Sequence, residues 1–357
     1  MKTKPMLILP AVAVVLLLAG VMARRAAAIP ARTITPPDES EVELTATEKG
    51  VTYKLYRAAL WRVDARSGRW EFIQQMYDPD FYAKNYVERD GVVCRKTADG
   101  NLVPVRRRFA DDFEHAKPVR ELIGLDTGWT AFTLQSPKAP SVSDYVRLRK
   151  RILQGQSDFL DNRVELAADI VHSGRRALKT YSAPPSRSMV CAKASLDTEL
   201  LHFVKGDDVW FSGWYYVPEG SGMPFTVMDL ETSWIREYPG IRIMLADGKH
   251  AMFELKWGGK PKYRQSKGKE VVFPVAKWVH LKARLRLSEK QDGIAELWQD
   301  GVKIVDARGQ TLPLAHTIYN SLEIGITAHN DRDKPATLYV DDVAISDKPL
   351  ELTPASP

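Results

Sequence analysis

The chain has 357 residues, of which 44% are hydrophobic, so it can bury a full core in one large domain or two ordinary ones and is not intrinsically disordered. Its formal charge is +6, but four of the 51 basic residues lie within the first 28 positions, and the remainder carries about +2. Only a local concentration of basic residues can therefore indicate a charged partner.

Residues 1–28 predict an export signal. A basic start precedes the apolar residues 6–21 and the small residues 26–28, which is the order found in a signal peptide. Arg24 and Arg25 also suit an uncleaved anchor, although roughly 16 apolar residues are short for a ~30 Å membrane core. We therefore expect an extracytoplasmic protein, whether periplasmic, secreted or anchored facing outward. It would touch a membrane only through this segment, if uncleaved.

The rest of the chain divides by composition. Residues 29–46 are rich in proline, threonine and acidic residues and predict a linker. Residues 47–110 contain apolar stretches separated by turn signals and predict a small N-terminal extension of short strands. We expect the main domain to span residues 111–347 and a C-terminal tail to follow at 348–357.

The two cysteines leave two alternatives open. Cys94 lies in the predicted extension and Cys191 in the predicted main domain. An oxidising compartment would permit a disulfide between them. Spacing in sequence does not show proximity, so they could equally be two unrelated small apolar residues.

Residues 278–301 show the clearest secondary-structure pattern. Strict alternation predicts a half-buried strand with one apolar side and one basic side, formed respectively by Val279, Leu281, Ala283, Leu285, Leu287 and by His280, Lys282, Arg284, Arg286. A second alternating segment ends at Asp300-Gly301, a strong hairpin signal. Similar short strands separated by turns predict an all-β fold, an antiparallel β-sandwich. One helix is predicted, capped by Ser143 and ending at Leu153.

Six segments carry a resemblance to a known family. They are Asp112-Phe113-Glu114, His172-Ser173-Gly174, residues 210–218, Trp278 with its strand, residues 293–301 and residues 338–346. Together they resemble the concanavalin A-like jelly rolls of polysaccharide lyases, of the heparin lyase and glucuronan lyase type. The resemblance covers roughly residues 110–346 and implies a jelly-roll sandwich. Lectins, laminin G-like modules, glycosidases and lyases share this fold, so it does not select one activity.

The resemblance also implies where catalytic residues would lie. Such lyases place Arg-x-Glu, Gln-x-His and Tyr-x-Lys-x-Gly-x-Tyr motifs on the concave sheet, and this chain departs from all three. Arg187 alone matches the first motif, Asp229-Leu230-Glu231 replaces the second, and residues 321–327 keep only the glycine of the third. A lyase needs a base for the proton α to a uronate carboxyl group. Substitutes close in sequence are His329 and Tyr319.

Asp229 and Glu231 are the acidic candidates. They are two apart in a predicted strand, so their carboxylates share one face, and neighbouring carboxylates can divide into an acid and a base. Glycosidases of this fold carry a longer Glu-x-Asp-x-x-Glu strand, which is missing here. The alternative is an acidic strand end in solvent, or a salt bridge to Arg236 or Arg242. With these two, the candidate catalytic residues are Asp229, Glu231, His329 and Tyr216.

Residues 256–286 contain ten basic residues and a single acidic one, Glu270. Interleaved aromatic rings can stack on sugars while the cations pair with carboxylate or sulfate. Nucleic acid would suit the same pattern, but export argues against it, so we expect an acidic polysaccharide and no nucleic acid. A basic face that only maintains solubility is the alternative. The predicted substrate-binding residues are Trp214, Arg242, Lys256, Trp257, Lys262, Tyr263 and Arg264.

Acidic residues in the first and last predicted strands of the sandwich suit a metal ion. Asp112 and Glu114 lie in the first strand, and Asp341 and Asp342 in the last. Terminal strands of carbohydrate-binding sandwiches often lie together, and such carboxylates can hold a structural Ca²⁺. A plain strand end that carries acids is the alternative.

Three hypotheses about function remain open. The preferred one is an exported jelly-roll protein that binds, and in some form processes, an acidic polysaccharide at a basic aromatic face. The second is a working lyase or glycosidase whose catalytic residues have shifted from the family positions. The third is a non-catalytic envelope or adhesion module that uses the sandwich for protein contacts.

Overall fold

The computed structural model describes residues 33–350, apart from residues 49, 98–99, 116–117, 224, 246 and 258–261. The predicted leader lies outside the described residues, so export stays a prediction. Among the described residues, no helix is long and apolar enough to cross a membrane.

Two small antiparallel sheets precede the sandwich, and we call residues 33–104 the N-terminal module. The first sheet contains β1 (Thr33–Ile34), β2 (Leu44–Glu48), β3 (Val51–Tyr56), β4 (Ala59–Val63) and β5 (Trp70–Gln75), in the order β1-β5-β4-β3-β2. The second follows the short helix α1 (Phe81–Asn85) and contains β6 (Tyr86–Arg89), β7 (Val92–Lys96) and β8 (Leu102–Pro104). The predicted linker is therefore partly folded. Ile34 and Val42 pack against buried Trp61 and Trp70, which draws residues 33–46 into this module.

The main domain is an antiparallel β-sandwich, as predicted. One sheet contains β10 (Ala131–Thr133), β13 (Ala192–Thr198), β22 (Ser321–His329), β15 (Phe225–Glu231), β16 (Gly240–Leu245), β17 (Ala251–Leu255) and β18 (Lys262–Tyr263), in that spatial order. The other contains β11 (Arg163–Ala167), β12 (Ala177–Ser182), β23 (Ala336–Ser346), β14 (Asp208–Tyr216), β19 (Trp278–Arg286), β20 (Ile294–Gln299) and β21 (Val302–Arg308), again in spatial order. The sandwich begins slightly before the predicted boundary, because β9 (Arg108–Asp111) pairs with β23.

The segment at 278–301 folds as its pattern predicts. The apolar side of β19 is at most 1% exposed and lies in the core between the two sheets. Asp300 and Gly301 have φ values of +47° and +81°, which suit the tight turn between β20 and β21. The Asp300 carboxylate also accepts a hydrogen bond from the backbone N–H of His280 (2.9 Å) and so ties the turn to β19.

Helix α2 (Val142–Leu153) begins one residue before Ser143, the predicted cap. Ser141 is the actual cap, because its hydroxyl accepts from the Asp144 backbone N–H and the Asp144 carboxylate accepts from the Ser141 N–H. Leu148 and Ile152 bury the inner side of the helix against the sandwich core.

The two cysteines are free thiols in the structure. Cys94 is buried in the N-terminal module, and Cys191 immediately precedes β13 of the sandwich. Of the two alternatives, the structure therefore shows unpaired cysteines.

Candidate functional site

A row of charged side chains crosses five neighbouring strands on the outer face of the seven-stranded sheet. In the antiparallel register, residues of β13, β22, β15, β16 and β17 stand opposite one another in the order Asp197, Glu323, Asp229, Arg242, Glu254. Like charges directly opposite each other destabilise a sheet, so three adjacent carboxylates mark this face as a functional candidate. We call the set the carboxylate row and include Glu231, two residues beyond Asp229 on the same face.

The carboxylates of the row are nearly fully buried. Asp229 is 0% exposed, and neither of its oxygens has a hydrogen-bond partner among the described residues. Glu323 accepts a hydrogen bond from Ser195 (2.5 Å), and Asp197 accepts one from Thr133 (2.8 Å). One oxygen each of Asp229, Glu231 and Glu323 lie within 4.8 Å of one another. Holding these groups together away from water is costly, so the cost must be offset by nearby cations.

Three cations supply that compensation at the solvent side of the row. The ion pairs are Lys193–Glu323 (3.0 Å), Arg242–Glu254 (2.6 Å), Lys256–Asp229 (3.5 Å) and a close Lys256–Glu231 contact. The cationic side chains are 14–22% exposed, whereas their carboxylate partners are 1–12% exposed. A molecule approaching from solvent therefore meets positive charge first.

The environment shifts the proton affinity of the row. Burial raises the pKa of Glu231 to about 6, and the charge of Lys256 opposes this shift. Burial also raises the pKa of Asp197 well above its usual range, and the charge of Glu323 acts in the same direction. General acids and bases work best when their pKa lies near the working pH, so Glu231 suits proton transfer.

Two tyrosines flank the row. Tyr145 of α2 is half-buried; burial raises its pKa, and the charges of Lys193 and Glu323 also act on it. Tyr238 is 46% exposed in the loop between β15 and β16. Its φ of +46° follows a φ of +68° at Glu237, and two such non-glycine residues in succession are strained. The loop thus holds Tyr238 in an unfavourable conformation beside the candidate site.

The structure brings together four predicted site residues, Asp229, Glu231, Arg242 and Lys256. His329 is 0% exposed and lies on the same strand as Glu323, but six residues away, which is about 20 Å along a strand. Tyr216 and Trp214 lie on β14 in the other sheet. These three predicted site residues therefore do not join the other four.

The basic stretch at 256–286 does not form one surface, so the expectation of a single basic aromatic face is wrong. Trp257 and Tyr263 are 8% and 7% exposed and belong to the core, so their rings are not available for stacking on a sugar. Arg264 is exposed, and the side chain of Lys262 lies outside the described part of the chain. Lys282, Arg284 and Arg286 lie on the outer face of the eight-stranded sheet. They are separated from Lys256, because β17 and β19 belong to different sheets.

Three of the four predicted calcium ligands accept hydrogen bonds from one turn of the chain. Asp341 accepts from the backbone N–H groups of His172 and Ser173, and Asp342 accepts from their side chains. Glu114 accepts from the N–H groups of Arg175 and Arg176. These carboxylates therefore already order the 172–176 turn.

Asp112 belongs instead to a different group of possible ligands. One oxygen of its carboxylate lies within 4.8 Å of a carboxylate oxygen of Asp111 and of a ring nitrogen of His115. Both Asp111 oxygens are already hydrogen-bonded, to the Phe113 N–H and the Trp129 indole N–H. Calcium binding by the predicted set stays a prediction, on which no chemical step below depends.

Comparison with known proteins decides the family. The family described as polysaccharide lyase matches residues 127–344, which is more than half of the chain. The chain belongs to the polysaccharide lyase family. The match contains the whole carboxylate row, whereas the N-terminal module lies outside it.

Solved structures similar to this polysaccharide lyase family member include three with low sequence identity. Cellulose induced protein Cip1 is 15% identical with a TM-score of 0.45, covering 68% of this chain and 98% of that one. Endo-β-1,4-glucuronan lyase from the fungus Trichoderma reesei is 10% identical with a TM-score of 0.42, covering 61% and 95%. Alginate lyase Aly36B is 10% identical with a TM-score of 0.41, covering 69% and 99%. Curated protein sequences give no match.

Sequence reasoning missed five residues in and around the carboxylate row of this polysaccharide lyase family protein. They are Lys193, Ser195, Asp197, Glu254 and Glu323. Their signal was present as polar residues at every second position of otherwise apolar or small-residue strands. Arg187, assigned to the first lyase motif, lies in a turn before β13. Arg187 is therefore not on a strand of the row. The strand that pairs with β22 is β13, and the cation that β13 presents on the face of the row is Lys193.

Proposed function

We propose that this polysaccharide lyase family member is exported, binds an acidic polysaccharide on the carboxylate row, and cleaves it by β-elimination. The observation that carries the proposal is the layering of the row, with Lys193, Arg242 and Lys256 at the solvent side and carboxylates beneath them. A substrate carboxylate can pair with these cations in place of their internal partners. The family and the raised pKa of Glu231 support a proton-transfer reaction.

Glu231 is the proposed base. When a uronate carboxylate pairs with Lys256, that lysine is drawn from ionised Glu231, and the loss of this cation raises the proton affinity of the Glu231 carboxylate, which takes the proton from the carbon α to the carboxyl group. The electrons of that C–H bond form a carbon–carbon double bond, and the glycosidic C–O bond at the β carbon breaks. The leaving oxygen takes a proton from a neutral acid, and the candidates for this acid are Asp197 and Tyr145, whose pKa values burial raises. The cations hold the charge that develops on the substrate carboxyl group.

A second candidate, glycoside hydrolysis, is favoured by a different observation. Asp229, Glu231 and Glu323 place one carboxylate oxygen each within 4.8 Å of one another. Retaining glycosidases use two carboxyl groups about 5–5.5 Å apart, one as acid and base and the other as nucleophile. Hydrolysis would produce reducing ends without a double bond, so the products separate the two reactions.

The test incubates the purified protein with uronate-rich and sulfated polysaccharides at low salt. We expect unsaturated chain ends, detected by ultraviolet absorbance, and a loss of roughly 10²–10⁴-fold in their rate for Glu231→Gln. Lys256→Met should lose both cleavage and retention on the immobilised glycan. Lys282→Met, on the opposite sheet, is the matched control and should keep both.

Other outcomes decide against parts of the proposal. Retention that salt disrupts, with no new chain ends, would support a non-catalytic module. Reducing ends alone would support hydrolysis. Neither retention nor cleavage on any acidic glycan would contradict the proposed partner.

A further inference from the structure

A cavity of about 600 Å³ lies where the N-terminal module meets the sandwich. The module contributes Tyr77 and Tyr82 to its wall, and the sandwich contributes His202, Trp234 and His316. The volume falls within the range of about 300–1,000 Å³ that is usual for small-molecule sites. The residues that the module contributes lie outside the family match at 127–344, whereas those of the sandwich lie within it.

Aromatic contacts from the module fix the rings of the cavity. Trp234 stacks on Phe81 with ring centres 5.1 Å apart and planes at 11°, and Tyr77 meets Trp234 edge-on at 5.2 Å. Tyr82 stacks on Tyr86 at 5.1 Å and remains 47% exposed. A ring held in this way offers a rigid apolar platform, and its negative face attracts the C–H groups on the flat side of a pyranose ring.

Two polar groups at the cavity are buried without a partner. Neither Nε2 of His202 nor Nε1 of Trp234 has a hydrogen-bond partner among the described residues, and His202 is only 8% exposed. A buried polar group left unpaired costs about 1–3 kcal/mol, so such groups call for an explanation. The indole N–H can only donate, while a neutral imidazole can donate or accept. Both nitrogen atoms are closed to solvent in this structure, so hydroxyl groups of a bound ligand would satisfy them once the two rings turn towards the cavity.

None of the described lining residues of the cavity is an acid, a lysine or an arginine. Its described lining residues are Tyr77, Pro79, Tyr82, His202, Val204, Trp234, His316 and Ile318. Burial lowers the pKa of both histidines, which are therefore neutral at neutral pH. An anionic ligand would find no counter-charge on these walls, so the chemistry selects an uncharged, hydroxyl-rich ligand with an apolar face.

The cavity adjoins one end of the carboxylate row. Trp234 follows Glu231 by three residues, a reach of at most about 10 Å along the chain. Asn320 fixes this short connection, since its backbone N–H donates to the Glu231 carbonyl and its side-chain amide pairs with Ser233. Trp234 of the cavity wall is therefore within about 10 Å of Glu231, a distance that a glycan of a few sugar units can span.

We infer that this cavity binds an uncharged pyranose unit of a glycan whose acidic units contact the carboxylate row. The acidic part of this inference rests on the proposed function, whereas the sugar-binding cavity is testable by itself. The substrate class is then a mixed polysaccharide that contains both charged and uncharged sugars. Tyr82 supplies the exposed platform, and His202 and Trp234 supply the polar contacts.

The test measures binding of neutral gluco-, manno- and galacto-oligosaccharides to the full chain with isotope-labelled tryptophan. The chain has nine tryptophans, and Trp234→Phe assigns the indole N–H signal of Trp234 by its loss. We expect a saturable shift of that signal, and at least a tenfold weaker affinity for Tyr82→Ala. Tyr181→Ala is the matched control, since Tyr181 is half-buried on β12 of the eight-stranded sheet and lies outside the cavity wall, and should bind these sugars as the parent chain does.

Two results would overturn the inference. One is no shift of the Trp234 signal with any of these sugars up to about 10 mM. The other is a shift that Tyr82→Ala leaves unchanged, which would place the sugar elsewhere. Failure of the lyase proposal leaves this readout intact, because Glu231→Gln should still bind neutral sugars in the cavity.

Discussion

Asp229 and Glu323 lie directly opposite each other in the antiparallel pairing of β15 with β22, and both carboxylates are buried. Opposed like charges in a sheet oppose folding, and neither Asp229 oxygen gains a hydrogen bond from the described residues. The arrangement therefore destabilises the folded protein. Active sites often keep such unfavourable arrangements because the reaction needs them.

Asp229→Asn should accordingly stabilise the protein. Removing one buried charge lessens the repulsion with Glu323 and Glu231, and we expect a gain of about 1 kcal/mol in the free energy of unfolding with a loss of activity. Urea denaturation measures the gain. Asp208→Asn is the control, because Asp208 pairs with Arg284 and Arg286 and its loss should not stabilise. A destabilised Asp229→Asn variant would contradict this account.

Glu231 should make stability depend on pH. Its pKa is raised from 4.5 to about 6, so the folded protein binds more protons than the unfolded chain between these values. Its contribution to stability is therefore full below about pH 4.5 and is lost as the pH rises through about 6, on the order of 2 kcal/mol. Unfolding curves from pH 4 to 7 should show this fall, and Glu231→Gln should remove it. Parallel profiles for the two proteins would exclude the raised pKa.

Lys256 should be essential for stability as well as for binding. Lys256→Met leaves Glu231 and Asp229 without their shared cation, and breaking a buried pair in this way costs about 3–5 kcal/mol. Lys303→Met is the matched control, because Lys303 is 38% exposed in its pair with Glu296 and should cost less than about 1 kcal/mol. Equal midpoints of thermal unfolding for the two variants would be inconsistent with the compensation described here.

Trp129 should join the first strand of the sandwich to the core. Its ring is 0% exposed between Phe109 and Phe113, and its indole N–H donates to Asp111 (2.6 Å). Trp129→Phe removes that hydrogen bond from a buried carboxylate and leaves unfilled volume, so we expect a loss of about 2–4 kcal/mol. Chemical denaturation checks the value, and a loss below about 0.5 kcal/mol would refute the role.

Local patterns predicted the elements but not the site. Alternation from Val279 to Leu287 and the Asp300-Gly301 turn depend on neighbouring residues, so the hairpin could be read from the sequence. The carboxylate row depends on which distant strands pair, and on their register, neither of which a single sequence shows. Asp229 could be recognised as a candidate, but its neighbour Glu323 lies 94 positions further along the chain.

The basic stretch failed as a prediction for a related reason. Its alternation was correct, since Lys282 and Arg284 share a face of β19. Sequence could not show that Lys256 directly follows a strand of the opposite sheet, or that Trp257 and Tyr263 face the core. Proximity along the chain was taken for proximity in space, and the sandwich separates the two groups.

The most direct test of the central claim is the rate of unsaturated-end formation on uronate-rich polysaccharides, measured against pH for the parent chain and Glu231→Gln. The account predicts a rate that rises as the pH passes through about 6, where Glu231 loses its proton, and no more than about 1% of that rate for the variant. Equal rates for the two proteins, or no unsaturated ends from the parent chain on any such glycan, would contradict it.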